Sequence, residues 1–412
     1  MHIVFVDNLL MVPPTGGAHT FLVDLCDSLV KLGHRVSVIT QAGPEQGLTG
    51  ALSETGAEVH TNVWRAVHLP EQRAERLARW VNERGADVFV VSVSPDAGWV
   101  ALPLLDSSIA TLSIAHNDVS AFYAPLQHYG PFIDCAVGVS ETLRERIIDV
   151  GSIPADRARY IPYGVKSLSP SQIEELTELS SEPDQPLRIG YVGRLVQAQK
   201  RVMEFVPLAE QLVKYKVNFE LHLIGDGSER PALEAAFKRL GLEQHVRMWG
   251  WLGADQVRQQ LLQLDVFVLL SEYEGLPVAL LEAMGHGLAP VVTRIDSGNT
   301  QLVRNGENGF VISVGDIQGC VSALQTLAND RHRLIQLRRA AWKSVQDYSV
   351  QRSAGDYAKC FQEIVRASKA RDYRRNLPEP FPIMPSCRSK YPHWLRKIKA
   401  RLLSFTPAFP RV

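Results

Sequence analysis

Residues 265–287 read DVFVLLSEYEGLPVALLEAMGHG, and their order limits the fold more than any other stretch of the chain. DVFVLL is an uninterrupted apolar run of strand length, as expected for a strand buried on both faces of a parallel sheet. Ser271 to Leu276 break the run with two carboxylates and a glycine. Pro277 suits the first turn of a helix, where its missing N–H has no partner to lose, and VALLEAMGHG carries that helix to Gly287. A buried strand thus delivers a Glu-Gly loop to a helix N-terminus, the junction where open α/β sheets bind anionic ligands. Glu274 in the loop and Glu282 in the second helical turn could both face that crevice. An equally ordinary reading is a solvated loop acid and a helix acid near a positive helix end.

The same alternation of strand and helix runs through the chain twice. HIVFVD leads through TGGA into a helix with Ala18, Phe21, Leu22, Leu25, Leu29 and Leu32 at helical spacing, closed by Gly33-His34 before the strand RVSVIT. DVFVVSV (87–93), ATLSIA (110–115) and DCAVGVSETLRERI, with Ser140 as N-cap, continue the series. Residues 167–186 are rich in Ser, Pro and Glu and read as a linker with room for a short helix in IEELTEL. The alternation then restarts with LRIGYVGRL, a strand ending in Arg194, and a helix beginning near Lys200. FELHLIG, HVRMWGW, ADQVRQQLLQL, the 265–287 stretch, APVVTRI and GFVISV follow. A chain of 412 residues exceeds one ordinary core. The expectation is therefore an α/β protein with two parallel, doubly wound sheets, one in residues 1–166 and one in residues 187–345.

Composition narrows the function. A hydrophobic fraction of 45%, a charged fraction of 21% and a formal net charge of zero fit a soluble globular protein and argue against bulk nucleic-acid binding. Cys26, Cys135, Cys320, Cys360 and Cys387 form no CxxC pair and meet no His cluster, so structural zinc and a disulfide framework are not expected and a reducing, cytoplasmic setting fits. No apolar run approaches bilayer length, and MHIVFVDN meets Asp7 too early to be a signal peptide.

Candidate site residues gather at the strand ends. Gly16 and Gly17 let backbone approach a ligand with helix amides behind them, although a tight turn is always an alternative for a Gly pair. TGGA is not GxGxxG, which argues against a dinucleotide-dependent oxidoreductase. His116 directly follows the strand at 110–115, a place where a histidine is more often structural than catalytic. Arg194 and Lys200 would each read as surface cations in isolation. Together they could clamp an anionic group by charge-assisted hydrogen bonds.

Taken in order, TGGA, His116, GRL followed by Lys200, and the EGLP segment with Glu274 and Glu282 resemble the landmarks of retaining glycosyltransferases of family 4 (glycosyl transferases group 1), over most of residues 1–366. RYIPYGV is similar to the family's IPNGV link, with Tyr163 in place of Asn. The resemblance implies a GT-B fold, in which two Rossmann-like domains face a central cleft. Residues 1–166 would be the acceptor side and residues 187–345 the nucleotide-sugar side, with a helix in 346–370 crossing back to the first domain. It implies transfer of a sugar, a hexose in the first place, from a nucleoside diphosphate donor to a glycan, glycolipid or small-molecule acceptor, with no cofactor and no metal.

In that frame Arg194 and Lys200 hold the departing diphosphate, helped by Gly16, Gly17 and the segment Gly275, Leu276 and Pro277. Glu282 meets the ribose, Glu274 the transferred sugar and His116 the sugar's far side. Attack on the face from which the nucleotide leaves is the family's pattern, and Asp118 is the candidate if a nucleophile or acceptor contact is required. SGNTQLV places Gln301 where an acid is common, at a position normally peripheral, and His286 stands where a small residue or Cys is usual. Two alternatives stay open: a nucleotide-sugar epimerase of the same architecture, and a non-catalytic nucleotide-sugar-binding protein.

Residues 371–412 hold ten Arg or Lys against two acids. Within 388–405, Trp394, Ile398, Leu402 and Leu403 recur at helical spacing among basic residues, the pattern of a helix lying on an anionic membrane surface. A helix docked on the enzyme's own acidic surface, or a disordered extension, would carry the same composition.

Overall fold

Two all-parallel sheets account for the strands. The computed structural model describes residues 1–7, 16–40, 47–61, 63–64, 68–93, 96–178, 185–296 and 298–370, so the basic tail and its amphipathic stretch lie outside the described residues. The first sheet contains β1 (His2–Val6), β2 (Arg35–Ile39), β3 (Glu58–His60), β4 (Val88–Val91), β5 (Ala110–Ala115), β6 (Cys135–Gly138) and β7 (Ala158–Tyr160), in the order β3-β2-β1-β4-β5-β6-β7. The second contains β8 (Leu187–Val192), β9 (Phe219–Ile224), β10 (Val246–Gly250), β11 (Val266–Leu269), β12 (Ala289–Thr293) and β13 (Phe310–Ile312), in the order β10-β9-β8-β11-β12-β13. The apolar runs of inner strands such as β1, β4, β5, β11 and β12 are buried throughout, because helices cover both faces. Chain order reverses between β1 and β4 in one sheet and between β8 and β11 in the other. Loops diverge at such points and leave a crevice at the carboxyl edge.

The helices are α1 (Gly17–Lys31), α2 (Gly47–Glu54), α3 (Pro70–Glu83), α4 (Asp96–Ala101), α5 (Ser120–Tyr129), α6 (Glu141–Asp149), α7 (Pro170–Glu178), α8 (Gln197–Lys200), α9 (Phe205–Lys214), α10 (Arg230–Arg239), α11 (Ala254–Leu261), α12 (Val278–Gly285), α13 (Gly298–Leu302), α14 (Ile317–Asn329), α15 (Arg331–Ser344) and α16 (Val350–Lys369). Among the described residues none is long and apolar enough to cross a membrane.

Several local expectations change. Lys200 does not begin the long helix: it ends the single turn α8, and Arg201, at φ +50°, turns the chain before α9. Arg194 lies beyond β8 in the turn, not within the strand. Pro277 is the N-cap of α12 rather than part of its first turn. The stretch read as a linker contains the nine-residue helix α7, docked on α15 by Arg339–Glu174 at 2.7 Å and by Trp342 Nε1 donating to the Leu168 carbonyl at 2.9 Å.

Helix α16 returns to the first sheet, where it packs along α1 and β5. Ser353 Oγ donates to the Pro162 carbonyl, Ser368 Oγ to the Ser108 carbonyl, and Lys369 pairs with Asp87 at 3.1 Å. At the far end of β11 from its carboxyl edge, Asp265 accepts from Arg338 Nη1 and Arg188 Nη2, each at 2.8 Å. This buried cluster ties α15 to the base of the strand that presents Glu274.

Candidate active site

Each side of the cleft is built at a switch point. After β11, Ser271 Oγ donates to Glu274 Oε1 at 2.6 Å, and Lys200 Nζ bonds the same oxygen. Glu274 is 4% exposed, so the pair lies in a poorly hydrated place where charge interactions are strong. After β8, Tyr191 OH donates to the Arg194 carbonyl at 2.8 Å and fixes the turn. Arg194 Nη2 donates to Gln199 Oε1 at 2.7 Å, and Gln199 Nε2 donates to the Tyr273 carbonyl at 3.3 Å. Among the described residues no carboxylate lies within ion-pair distance of Arg194. One side of the cleft therefore offers a guanidinium, an ammonium and the first-turn amides of α12, whose N–H groups have no intrahelical acceptor.

The opposite side begins with β1. Asp7 follows that strand and is 1% exposed; its Oδ2 accepts from the Val93 amide at 3.3 Å, just past β4. Burial pushes its carboxyl up to about 7 against hydrogen bonds from Ser92 and Val93. His116, after β5, is 3% exposed, with Nε2 3.0 Å from Ser92 Oγ and Nδ1 2.6 Å from Tyr163 OH. Burial, then the nearby His19, holds His116 down to about 3, so its ring is neutral at physiological pH. Phe21, Phe122 and Tyr163 surround the ring.

The two sides touch at glycines. A β-carbon on Gly17, the first residue of α1, would stand 2.6 Å from Val278 Cβ at the start of α12. One on Gly275 would overlap the His116 carbonyl oxygen. Gly16 has open space around its α-carbon.

Residues 15–167 match Glycosyltransferase Family 4, and residues 186–330 match Glycosyl transferases group 1. The chain belongs to the family 4 glycosyltransferases. It is 31% identical over 196 residues to a lipopolysaccharide 1,6-galactosyltransferase of Salmonella typhimurium, a match that covers 47% of this chain and 52% of that protein. It is 29% identical over 317 residues to the lipopolysaccharide core biosynthesis glycosyltransferase LpsE of Rhizobium meliloti, covering 76% of this chain and 86% of that one. The fold is also that of Anabaena HepE, solved in complex with UDP, at a TM-score of 0.71 and 19% identity over 88% of this chain and 100% of that one. Family 4 members with this architecture have the GT-B fold, and the two facing Rossmann-like sheets described above are its two halves.

Within this member of the family, Arg194, Lys200, Glu274, Gly275, Leu276 and Pro277 come together on one side, with Gly16 and Gly17 opposite. Glu282 is half-buried on α12. Burial pushes its carboxyl up to about 7, with Arg258 and Lys166 opposing and Asp24 of α1 adding to the rise. His116 is less available than the family pattern implies, because both ring nitrogens are engaged inside the N-terminal half. Asp118 accepts from Tyr123 OH at 2.8 Å and lies 3.7 Å from Arg146, so it is occupied rather than poised as a nucleophile. Gln301 is not peripheral: it donates to Tyr160 OH at 2.6 Å and accepts from the Glu141 amide at 3.3 Å, linking the halves. His286 has a structural explanation, since its Nδ1 lies 2.7 Å from the Glu282 carbonyl at the end of α12. Asp7, His19, Ser92 and Tyr163 were not apparent as a group from the sequence. An acid closing the β1 run and a histidine just after the Gly pair are the only traces it offers.

Proposed function

We propose that the protein is a retaining, metal-independent glycosyltransferase that moves a hexosyl group from a nucleoside diphosphate sugar to a hydroxyl of a growing polysaccharide or lipopolysaccharide. The observation that carries this reading is the convergence of Lys200, Glu274 and Arg194 at the switch point of the second sheet, facing the N-terminus of α1. Arg194 and Lys200 stabilise the diphosphate as the bond to the anomeric carbon breaks, and the amides at the start of α12 add donors to the same oxygens. Pairing with Glu274 keeps Lys200 extended into the cleft, so little side-chain ordering remains to be done when the donor arrives. Glu274 then meets the sugar hydroxyls and Glu282 the ribose. His116 forms the sugar's far wall, and a polar contact from its ring requires the bond to Ser92 or Tyr163 to yield. The acceptor oxygen bonds to the anomeric carbon on the face that the phosphate leaves, and its proton passes to the departing phosphate oxygen.

UDP bound to HepE and the lipopolysaccharide roles of the sequence relatives support a UDP-hexose donor and a glycan acceptor, including one carried on a lipid. The test is proton NMR of the first glycosidic product formed from UDP-glucose or UDP-galactose. An anomeric configuration equal to the donor's supports the assignment, inversion refutes retention, and a free epimerised nucleotide sugar refutes transfer.

A further inference from the structure

Beside the groups already assigned, one cluster of polar atoms is left without a use. Both ring nitrogens of His19 and the Oδ1 of Asp7 are buried and have no hydrogen-bond partner among the described residues. His19 is 8% exposed, and its Nε2 lies 3.8 Å from Asp7 Oδ1, too far for a hydrogen bond between them. Native proteins satisfy nearly all buried polar atoms, and each one left over costs stability. Three in one spot are therefore a feature to explain. The spot is also not random: Asp7 directly follows β1 at the switch point of the first sheet, and His19 lies in the first turn of α1. His19 is close enough to His116 on one side and to Arg194 across the cleft for their charges to interact.

We propose that Asp7 and His19 together seat the acceptor hydroxyl that attacks the donor sugar. Their 3.8 Å separation lets one oxygen stand about 2.8 Å from both atoms, with the two bonds a little under a right angle apart. There the hydroxyl donates to Asp7 Oδ1 and accepts from a His19 N–H, which satisfies two of the three stranded atoms. The assignment to the acceptor rests on the retaining reading given above. Attack on the face that the diphosphate leaves brings the incoming hydroxyl beside Arg194, on the N-terminal side, where this pair stands. Burial lowers the basicity of His19, with Arg194 adding to the effect, so the ring remains neutral and can serve without a charge.

The test uses the full chain, with His19→Leu, His19→Gln and Asp7→Asn beside the wild type. Three quantities are compared: melting temperature without ligand, the rise in melting temperature on adding UDP, and the partition of sugar from UDP-glucose or UDP-galactose between water and octyl glucoside. Expected results are a higher ligand-free melting temperature for His19→Leu, an unchanged UDP-induced rise, and a transfer-to-hydrolysis ratio at least tenfold lower for His19→Leu and Asp7→Asn. His19→Gln, which retains a donor, should fall between. A lower melting temperature for both His19 variants makes the residue structural and overturns the proposal. So does an unchanged ratio, and so does loss of the UDP response, which would place His19 on the donor. If the wild type neither responds to UDP nor consumes either donor, the glycosyltransferase reading fails. The ligand-free melting comparison still decides whether the pair is a binding seat or a structural contact.

Discussion

Gly275 is seated directly against the backbone carbonyl of His116, so the loop that carries Glu274 touches the opposite side of the cleft through a residue with no side chain. The contact sets how closely the two halves approach, and it depends on the absence of a β-carbon. Gly275→Ala should hold the halves apart and lower kcat/KM at least tenfold, because displacements of about 1 Å at a reacting centre have effects of that order or more. Both sheets should remain folded. Steady-state kinetics with small-angle scattering would check this, and wild-type turnover in the variant would show the contact to be incidental.

Removing one member of the cationic clamp should be costly. Lys200→Ala and Arg194→Ala are each expected to reduce kcat/KM by roughly two to three powers of ten, the scale for losing one preorganised charge stabiliser. Arg194→Ala should lower the melting temperature modestly, since it removes a donor from the amide oxygen of the buried, uncharged Gln199. Lys200→Ala should also free Glu274 for Ser271 alone.

Asp7 gives a pH signature. Burial pushes its carboxyl up to about 7, so the folded protein keeps a proton that the unfolded chain releases near pH 4. Its contribution to stability is complete below that lower value and is lost as pH rises through about 7, by up to a few kcal/mol. Asp7→Asn has no proton to lose. Its melting temperature should therefore gain on the wild type progressively from pH 4 to pH 7. Comparing the two proteins isolates Asp7 from Glu282, which shifts the same way, and from His116, whose depressed value works in the opposite sense. A difference that stays constant over the range would contradict the assignment.

The sequence made the architecture legible because buried parallel strands have few alternatives. Runs such as DVFVLL and HIVFVD need cover on both faces, and their spacing with helical segments leaves the doubly wound sheet. Glu274, Arg194 and Lys200 were legible because each lies within a few residues of a strand end. Relationships across the chain were not. Nothing local shows that Tyr163 will bond His116, that Gln301 will link Tyr160 to Glu141, or that Asp265 will be held by Arg188 and Arg338. Asp7 and His19 were hidden for the same reason, since a polar atom is stranded only once the surrounding chain has enclosed it. The break between α8 and α9 is not legible because QKRVMEFVPLAEQLVKY has helical spacing throughout, while the turn at Arg201 depends on its surroundings: its side chain pairs with Glu204 and with Glu272 of the Glu274 loop.

The basic tail supplies a prediction of its own. If Trp394, Ile398 and Leu402 enter a bilayer interface while Arg396, Lys397, Lys399 and Arg401 meet anionic headgroups, each basic residue adds about 1 kcal/mol near the surface. Full-length protein should then co-sediment with anionic vesicles in a salt-sensitive way, and a chain ending at Ala370 should not. Equal binding by both, or binding by neither, would remove the tail from any membrane role.

The proposed function requires the cleft to bind a nucleoside diphosphate through protein cations. Calorimetric titration of UDP, GDP and ADP in EDTA, into the wild type, Arg194→Ala and Lys200→Ala, tests it most directly. The wild type should bind at least one of the three, UDP first among them, and both variants should bind it at least tenfold more weakly. Failure of the wild type to bind any of them, or equal affinity in the variants, would contradict that requirement.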